Sequence, residues 1–560
     1  MKRCLSVVLV GLAAWLSAAN LTVQQKCLVR AVERINPEAL GRLAEDWEVT
    51  YGKSAELEAL RKLIGEVPAR KAAAVKALRE RGDEAPAKAL TLEVKRAVLA
   101  QPMMAGLEVL AMKYDFGPNA RRQNAPAQPS MACYNVVEAN HGINSQLVKI
   151  SDLAAETPKV EVLYNSPRAS VTCVDLNWDA KRVCFVKKDP ADGNRLKLWE
   201  YRFGEGEAKP ITPKGVDYDI GDGCYLPDGK FIVTATASEQ GLPCESGRMA
   251  MTNTYRFDPA TGKMERLTFD QDSNWSPTML DDGRVMFVRW EYCDQTHFFS
   301  RILMTMRPDG TRQLAYFGSN GFWPNHYGDP KPIPGANGKF ICVATGHHAS
   351  KAGRLALFDV SKGRAEAAGC EQMIPGWKKP IPERIEDYLY AGDWPKFLTP
   401  FPLGHNPRKD GAGKYFLTAM RASGEDLWGI YLVDVFDNLT LLCEIEGSSL
   451  TEPIRFEQST PPPVYPDSIV PGEKTCTVHV ADIYNGPGLR GVPRGTVKQV
   501  RVFAYHYAYN KAGSHEGVGT ESSWDMKYVL GTAPVREDGS VYFVAPAHTP
   551  IALQPLDANG

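Results

Sequence analysis

The residue types with the most chemical capacity fall within one short segment of the chain. Six polar side chains lie between positions 289 and 301, namely Arg289, Glu291, Cys293, Asp294, His297 and Arg301. A carboxylate, a thiolate and an imidazole are ligands that transition metals such as Zn²⁺ prefer. Structural roles compete with this interpretation, because Arg289 and Glu291 at alternate strand positions would form an ion-pair ladder, and Asp294 is typical of a turn. The segment therefore predicts either a metal site with Glu291, Cys293 and His297 as ligands, or a set of structural contacts.

Three further histidines lie near the ends of predicted strands. His347 and His348 follow one strand directly, and His326 falls at the same stage of the preceding repeat. Adjacent strand residues face opposite sides, so that one of a neighbouring pair normally joins a given site. We predict that His348 joins the metal ligands and that Arg289, Asp294, His326 and His347 contact a bound ligand. The competing interpretation is that each histidine is held by neighbouring loop groups.

A second candidate metal site lies earlier in the chain. Asp217, Asp219 and Asp222 supply several carboxylate oxygens next to Gly221 and Gly223, and such hard ligands suit Ca²⁺. Their spacing departs from that of the EF-hand loop, so a turn stabilised by aspartate side chains is the alternative. The divalent metals that the sequence allows are therefore zinc and calcium.

Repeated strand pairs must position these residues. A β-hairpin pattern recurs about six times between residues 145 and 445, for example at Phe257–Lys263, Met306–Gly310 and Phe358–Gly363. Between the hairpins runs a turn followed by a second type of strand, as at Asp281–Met286 and Asn337–Ile341, which we assign as the innermost strands. The repeats span 54 residues from Gly229 to Gly283 and 55 from Gly283 to Gly338, somewhat longer than the roughly 40 to 50 residues of common propeller blades. Such blades bury their faces only against their neighbours. The sequence predicts a mainly β protein with a six-bladed β-propeller over residues 141–459.

The chain before the propeller has three further predicted parts. Residues 1–19 combine basic residues, an apolar run and small residues, which predicts a secretory signal peptide and a periplasmic or secreted protein. Residues 20–112 predict a helical domain, in which Ser54 caps a helix that Gly65 ends, with Pro68 beyond. Residues 113–140 contain several Pro, Asn and Gln residues and predict a linker.

The C-terminal part begins where three consecutive prolines interrupt the repeats, at Pro461–Pro463. Alternating strands and Gly-rich turns over residues 460–560 predict a β-sandwich-like domain. Its last strand, at Ile551–Asp557, has no evident pairing partner in the sequence.

Several motifs resemble those of the hydrazine synthase alpha subunit family. They include Cys224–Gly229, Arg289–Asp294, Trp323–Asn325, Leu432–Asn438 and Pro493–Val497. The resemblance spans the chain from about residue 130 to its end. It implies an N-terminal domain, a six-bladed middle propeller and a C-terminal domain.

The resemblance also implies haem groups attached through Cys-x-x-Cys-His motifs, a tyrosine on the haem iron and a cysteine-bound zinc. The corresponding positions here are Tyr484 and Cys244, whereas no Cys-x-x-Cys-His motif occurs in the sequence. We therefore expect no covalent haem and do not transfer hydrazine synthesis to this chain. Tyr484 as a buried tyrosine with a bonded hydroxyl is the alternative. Disulfides that involve Cys224 with Cys244, or Cys342 with Cys370, are open possibilities in an exported protein.

The composition limits the classes of partner. The formal net charge is -1, with 23% charged and 44% hydrophobic residues, which gives no indication of a nucleic-acid partner. No segment is long and apolar enough for a membrane span. The sequence predicts a binding or scaffold protein with a protein partner or a small-molecule ligand. Its alternatives are a metal-dependent enzyme with its site at the channel mouth, and a subunit of a redox complex whose haem is on another chain.

Overall fold

Four helices begin the described part of the chain. The computed structural model describes residues 21–126, 143–189, 195–212, 215–242, 247, 249–291, 300–319, 321–507, 509–511 and 525–560. The helices are α1 (Val23–Arg34), α2 (Pro37–Tyr51), α3 (Ala55–Arg81) and α4 (Ala85–Leu99). The side chains of Thr22, Asn36 and Ser54 accept backbone N–H groups and cap the first three helices. Their apolar faces share one core with Leu417, Ile430 and other strand residues, so the helices pack directly on the sheets.

Twenty-nine strands follow in the described residues, and twenty-four of them precede residue 456. These are β1 (Val109–Asp115), β2 (Asn144–Ser151), β3 (Lys159–Ser166), β4 (Val171–Leu176), β5 (Arg182–Asp189), β6 (Arg195–Arg202), β7 (Ala208–Pro210), β8 (Ile220–Tyr225), β9 (Phe231–Ala235), β10 (Asn253–Asp258), β11 (Lys263–Arg266), β12 (Asn274–Met279), β13 (Val285–Glu291), β14 (Ser300–Met306), β15 (Leu314–Phe317), β16 (His326–Pro332), β17 (Lys339–Thr345), β18 (Arg354–Asp359), β19 (Cys370–Ile374), β20 (Lys396–Pro402), β21 (Tyr415–Arg421), β22 (Gly429–Asp434), β23 (Leu439–Cys443) and β24 (Ser448–Arg455). The prediction of a mainly β chain is confirmed.

These strands pair as antiparallel groups of four. The groups are β4–β7, β8–β11, β12–β15, β16–β19 and β20–β23, and a sixth group has the order β24-β1-β2-β3. A single parallel pair, Arg301 with His326, joins the third and fourth groups into one larger sheet. The sixth group unites a strand that precedes the first repeat with the strand that follows the last one.

One strand from each group contacts the corresponding strand of the next group. We call β4, β8, β12, β16, β20 and β24 the first strands. They contact one another in this order, and β24 also contacts β4. Two of the other cores lie between neighbouring groups: one joins Val186 and Leu198 to Val233, and another joins Ile341 and Leu355 to Phe416. Each group therefore buries its faces against the groups beside it.

Five strands form a separate C-terminal unit. They are β25 (Thr475–Val480), β26 (Gln499–Tyr507), β27 (Asp525–Pro534), β28 (Val541–Pro546) and β29 (Ile551–Leu556). They form a two-stranded sheet, β25-β28, and a three-stranded sheet, β27-β26-β29. The small core of this unit contains Val500, Ala533 and Val541.

Four details differ from the sequence analysis. Helix α3 continues through Gly65 and Pro68 to Arg81. Strand β1 straddles the boundary that we placed at residue 112, because it pairs with β2 and β24. Strand β29, for which we found no partner, pairs with β26.

The fourth difference concerns the cysteines. Cys224, Cys342 and Cys370 are free thiols in the structure, whereas Cys244 lies outside the described residues. The predicted signal peptide, residues 1–19, and most of the predicted linker also lie outside the described residues. In the part of the chain that the structure describes, no helix has the length and apolarity that a membrane span requires.

Candidate functional site

Each first strand has an irregularity in its pairing at the same stage of the repeat. The strand register shifts next to one residue in every case. These six residues, which we call the ring residues, are Cys173, Asp222, Ser276, Asp329, Thr399 and Glu452. Five of them, all except Asp222, have positive φ, and four precede a proline, which cannot donate to a ladder. The resulting bulges leave polar groups at equivalent positions of all six first strands.

All six ring residues line one cavity of about 720 Å³. The cavity extends from the ring residues past the C-terminal ends of the first strands. The segment 459–463, which contains the three consecutive prolines, lies along it. On this segment the backbone N–H of Ser459 donates to the carbonyl oxygen of Trp178. The cavity is therefore bounded by all six strand groups and by the chain that leads to the C-terminal unit.

Two ring carboxylates bind the backbone of the next first strand. One oxygen of Asp222 accepts the N–H of Ser276 at 2.6 Å. One oxygen of Glu452 accepts the N–H of Val174 at 2.7 Å, and its other oxygen accepts the Thr172 hydroxyl at 2.8 Å. These bonds satisfy N–H groups that the bulges release from the strand ladders. The same carboxylates thus connect neighbouring groups and face the cavity.

Lys351 is the basic residue closest to the ring carboxylates in the described structure. It lies in the loop between β17 and β18, lines the cavity and is 6% exposed. Its Nζ lies 3.9 Å from Oδ1 of Asp329. The loop is tightly constrained, since a Cβ on Gly353 would lie 2.1 Å from the carbonyl oxygen of Ala344. The backbone therefore fixes where Lys351 enters the cavity.

Burial raises the pKa values of the ring carboxyl groups, whereas a nearby positive charge or hydrogen bonds lower them. Burial raises the pKa of Asp222, and the Lys351 ammonium opposes that shift. Burial also raises the pKa of Glu452, which the hydrogen bonds from Val174 and Thr172 oppose. The pKa of the Cys173 thiol is raised, first by burial and then by Asp222. A thiol in this environment is a poor nucleophile, because the thiolate is the reactive form.

The structure describes only part of the segment 289–301, for which the sequence predicted a metal site or structural contacts. Cys293, Asp294 and His297 lie outside the described residues, as does the side chain of Glu291. Arg289 lies on β13, and its Nε is 3.5 Å from Oδ1 of Asp270. The predicted ion-pair ladder between Arg289 and Glu291, and the predicted metal ligands in this segment, stay predictions.

The structure brings together the histidines that follow predicted strand ends. The rings of His347 and His348 are in contact, with centroids 4.4 Å apart, and Nδ1 of His348 lies 2.6 Å from Oδ2 of Asp387. The Arg301 guanidinium donates to the carbonyl oxygen of His347 at 3.0 Å and lies 4.6 Å from the centroid of the Trp290 ring. The adjacent histidines thus share one site although we expected only one of them to join it, because strand β17 ends at Thr345 and both lie in the loop.

His326 completes this cluster at the start of β16. It pairs with Thr345 in the strand register and is 1% exposed, and neither ring nitrogen has a hydrogen-bond partner among the described residues. Burial and then the Arg301 guanidinium lower its pKa well below the usual value, so the ring is neutral at pH 7. Among the described residues, no three or more His, Cys, Asp or Glu side chains are arranged to hold a metal ion.

Of the two positions taken from the resemblance, Tyr484 lies in the described part of the chain. The hydroxyl of Tyr484 accepts the backbone N–H of Val497 at 2.9 Å, and the Arg494 guanidinium lies 5.1 Å from the centroid of its ring. The hydroxyl that would ligate iron is therefore engaged in the C-terminal unit, and the sequence lacks the cysteine pairs for thioether attachment. Cys244, the position that corresponds to the zinc ligand, is not among the described residues.

Sequence reasoning missed Lys351 and the ring residues other than Asp222, which it offered as a calcium ligand beside Asp217 and Asp219. It assigned the innermost strands to segments such as Asp281–Met286 and Asn337–Ile341, which contribute to the second strands of their groups, β13 and β17. The available signal was the recurrence of a polar residue before proline at Ser276, Asp329 and Thr399. That signal identifies a site only when the strand order places the six positions together.

One protein family and one solved structure share a name in the comparisons with known proteins, hydrazine synthase. The family described as hydrazine synthase alpha subunit middle domain matches residues 495–560, within the C-terminal unit. Among solved structures, hydrazine synthase from Kuenenia stuttgartiensis is 15% identical with a TM-score of 0.61, and the match covers 81% of this chain and 66% of that chain. No curated protein sequence matches the chain.

Two structures of lower similarity also match. TolB from Acinetobacter baumannii is 12% identical with a TM-score of 0.35, covering 66% of this chain and 72% of that chain. A TolB-like protein from Agrobacterium tumefaciens is 15% identical with a TM-score of 0.31, covering 48% of this chain and 90% of that chain. The chain spans just under two thirds of the hydrazine synthase chain it matches, and at 15% identity that likeness shows a shared fold. The chain is therefore similar in sequence to the hydrazine synthase alpha subunit middle domain over residues 495–560, and it shares the fold of hydrazine synthase over most of its length.

Proposed function

We propose that the chain is an exported, six-bladed β-propeller that binds a small polar molecule in its central cavity. The observation that carries the proposal is the cavity of about 720 Å³ into which all six ring residues project. Cavities of this size, with apolar walls and a few converging polar groups, are typical of small-molecule sites. Catalysis is not part of the proposal, because fold alone does not assign chemistry.

The contacts between the first strands support a closed ring. Each of the six first strands contacts the next, and β24 contacts β4. Strand β1 comes from before the first complete group and pairs with β24 from after the last one. A ring closed by strands from both ends of the repeat region leaves few exposed sheet edges. We therefore interpret each four-stranded group as one blade.

The proposal separates this chain from haem-dependent chemistry. One solved structure with a similar fold is named hydrazine synthase. This sequence contains no Cys-x-x-Cys-His motif, and the hydroxyl of Tyr484 already accepts a backbone hydrogen bond. We propose that the chain kept the propeller and lacks covalent haem, so that ligand binding is the role retained.

A cavity-filling variant tests the proposed function. Met279 lines the cavity, and Met279→Trp would occupy part of its volume. Thermal unfolding of the wild-type protein should shift upward with at least one compound from a set of free amino acids, amines, sugars and carboxylates, since a ligand that binds only the folded state stabilises it. The same shift should be lost in Met279→Trp and kept in the control Met526→Trp, whose side chain is exposed. An equal response of all three proteins would refute binding in the cavity.

A metal site at the histidine cluster is the second candidate function. The observation that favours it is His326, a neutral imidazole that is buried with both ring nitrogens unpartnered. His326 and His348, together with Glu291, Cys293 and His297, would supply imidazole, carboxylate and thiolate ligands. Elemental analysis should then find about one zinc per chain in the wild-type protein and much less in His326→Ala. Wild-type protein without metal after purification in zinc-containing buffer would exclude this candidate.

A further inference from the structure

Lys351 is a buried cation without a hydrogen bond. Its side chain is 6% exposed, and its ammonium makes no hydrogen bond to any part of the chain that the structure describes. Its ion pair with Asp329, at 3.9 Å, is longer than a hydrogen bond. The side chain lines an open cavity, so its three ammonium donors are within reach of acceptors inside that cavity. We therefore expect a ligand in the cavity to supply the hydrogen-bond acceptors for the Lys351 ammonium.

The surroundings of Lys351 are predominantly acidic. Acidic residues outnumber Lys and Arg residues six to three around the cavity. Oδ2 of Asp329 is buried and has no hydrogen-bond partner, so it requires a donor as Lys351 requires an acceptor. Asp222 and Glu452 lie on the same ring, and the Lys351 charge acts on the pKa of both. An occupant must accordingly bring both an anionic group and an excess of positive charge.

We propose that the cavity binds a basic α-amino acid, with the carboxylate of the ligand on Lys351 and its cationic groups on the ring carboxylates. This inference rests on the proposed function, since it names the ligand class of the same cavity. The α-carboxylate accepts from the Lys351 ammonium, and a cationic group of the ligand donates to Asp329. The remaining cationic group lies toward Asp222 and Glu452.

The walls of the cavity suit the aliphatic part of such a ligand. Phe401 and prolines from several first strands, such as Pro330 and Pro400, contribute apolar surface between the polar groups. The methylene groups of arginine or lysine would pack on these walls while both ends stay hydrogen-bonded. A simple metal cation fits less well, because it would place a second positive charge beside Lys351 and supply no acceptor.

Two probes that differ only in the carboxylate test the assignment by isothermal titration calorimetry. L-arginine carries the α-carboxylate, whereas agmatine is the same molecule without it. The wild-type protein should bind L-arginine about tenfold or more tightly than agmatine, because an additional charge-assisted hydrogen bond is worth roughly that factor. In Lys351→Met the affinity for L-arginine should fall to that of agmatine, whereas the control Lys209→Met, at an exposed position, should keep the preference.

The outcomes separate this inference from the proposed function. Equal binding of the two probes by wild-type protein, or an unchanged preference in Lys351→Met, would overturn the role of Lys351. If neither probe binds while another compound stabilises wild-type protein but not Met279→Trp, the ligand class is wrong and the cavity function stands. If no compound stabilises the wild-type protein, both fail.

Discussion

At the scale of the residue, the ring carboxylates combine a structural role with the proposed binding role. A bulge frees a backbone N–H from its own ladder, and a carboxylate on the preceding first strand accepts it, as Asp222 does for Ser276 and Glu452 for Val174. Asp175, which lines the same cavity, accepts the N–H of Tyr225 at the end of the next first strand at 3.0 Å. These bonds orient charged groups around the cavity before any ligand is present, which reduces the entropy cost of binding.

The first prediction concerns the structural role of Glu452. Glu452→Ala should lower the free energy of unfolding by about 3 kcal/mol, because it leaves the N–H of Val174 and the hydroxyl of Thr172 without their acceptor. Urea unfolding followed by tryptophan fluorescence measures the change. Glu58→Ala, at an exposed position, should alter it by less than about 0.5 kcal/mol. Equal effects of the two substitutions would contradict the role of Glu452.

The second prediction concerns pH. The pKa of Asp222 is raised in the folded state, so the folded protein retains a proton that the unfolded chain loses. Its contribution to stability is fully present below the ordinary aspartate pKa of about 4 and is lost as the pH rises through the raised value. Asp222→Asn removes the contribution of this carboxyl group to the pH dependence of the free energy of unfolding. The free energy of unfolding should fall less between pH 4.5 and pH 7.5 in the variant than in wild-type protein, and parallel curves would show that the pKa of Asp222 is not raised.

The chemistry of single residues limited what could be predicted about the site. His326, His347 and His348 were identified from the sequence because histidines at strand ends have few structural explanations, and the structure brings them together. Cys173 and Thr399 carry no such signal. Their position in the ring follows from bulges and strand order, and the local signal at Thr399, a polar residue before proline, does not reveal that order.

At the scale of the element, tertiary packing overrides local signals. Gly65 and Pro68 predict the end of a helix, yet α3 continues to Arg81. The buried stripe continues past them through Leu63, Val67 and Ala74, so the helix gains core contacts by extending. Both breakers are exposed, where the missing side chain and the missing N–H disturb the packing least. The capping residue Ser54 was predicted correctly, because its hydrogen bond to Leu57 is local.

A prediction about glycine follows for this helix. Gly65→Ala should raise the free energy of unfolding by about 1 kcal/mol, since alanine has the higher helix propensity and an added Cβ would meet no atom within 4 Å. Gly82→Ala is the matched control with the opposite expected effect, a lower free energy of unfolding. Gly82 ends α3 with φ +65°, and an added Cβ would lie 3.3 Å from the side-chain amide nitrogen of Gln25. Thermal unfolding should rank Gly65→Ala above wild type and Gly82→Ala below it. The reverse order would show that α3 ends near residue 65.

The second strands could be recognised in the sequence, whereas the first strands could not. Second strands such as β9, β13 and β17 are apolar runs after a Gly turn, and their segments were recognised. The first strands contain prolines, glycines and polar residues, and so they resemble loops. Their β structure depends on pairing with the second strands on one side of each bulge, which is a tertiary effect.

At the scale of the whole molecule, the pairing of β1 with β24 joins distant parts of the chain. The recurrence of hairpins predicted sheets that repeat, and the groups of four agree with that pattern. The partner of β24 was assigned to the helical domain and linker, since β1 lies outside the repeats. Periodicity cannot reveal a strand that occurs once.

The predicted signal peptide leads to a testable prediction about export. The basic, apolar and small-residue order of residues 1–19 predicts cleavage near Ala19. Mass spectrometry of protein from the periplasm or medium should find a chain that begins close to Asn20 and that carries no haem mass. A chain that starts at Met1, or one with a covalent haem after expression with cytochrome c maturation proteins, would contradict this part of the account.

The central claim, a ring of six blades around a cavity, is tested most directly by a disulfide across its closure. Asp115 on β1 and Ser448 on β24 are register partners 333 positions apart in sequence, and the Ser448 hydroxyl donates to the Asp115 carboxylate at 2.8 Å. Paired strand residues lie within about 5.5 Å between Cα atoms, the distance that a disulfide spans. The account predicts that Asp115→Cys with Ser448→Cys oxidises to a faster-migrating monomer on a non-reducing gel, which neither single variant gives. Free thiols at both positions of the folded double variant after oxidation would contradict the closed ring.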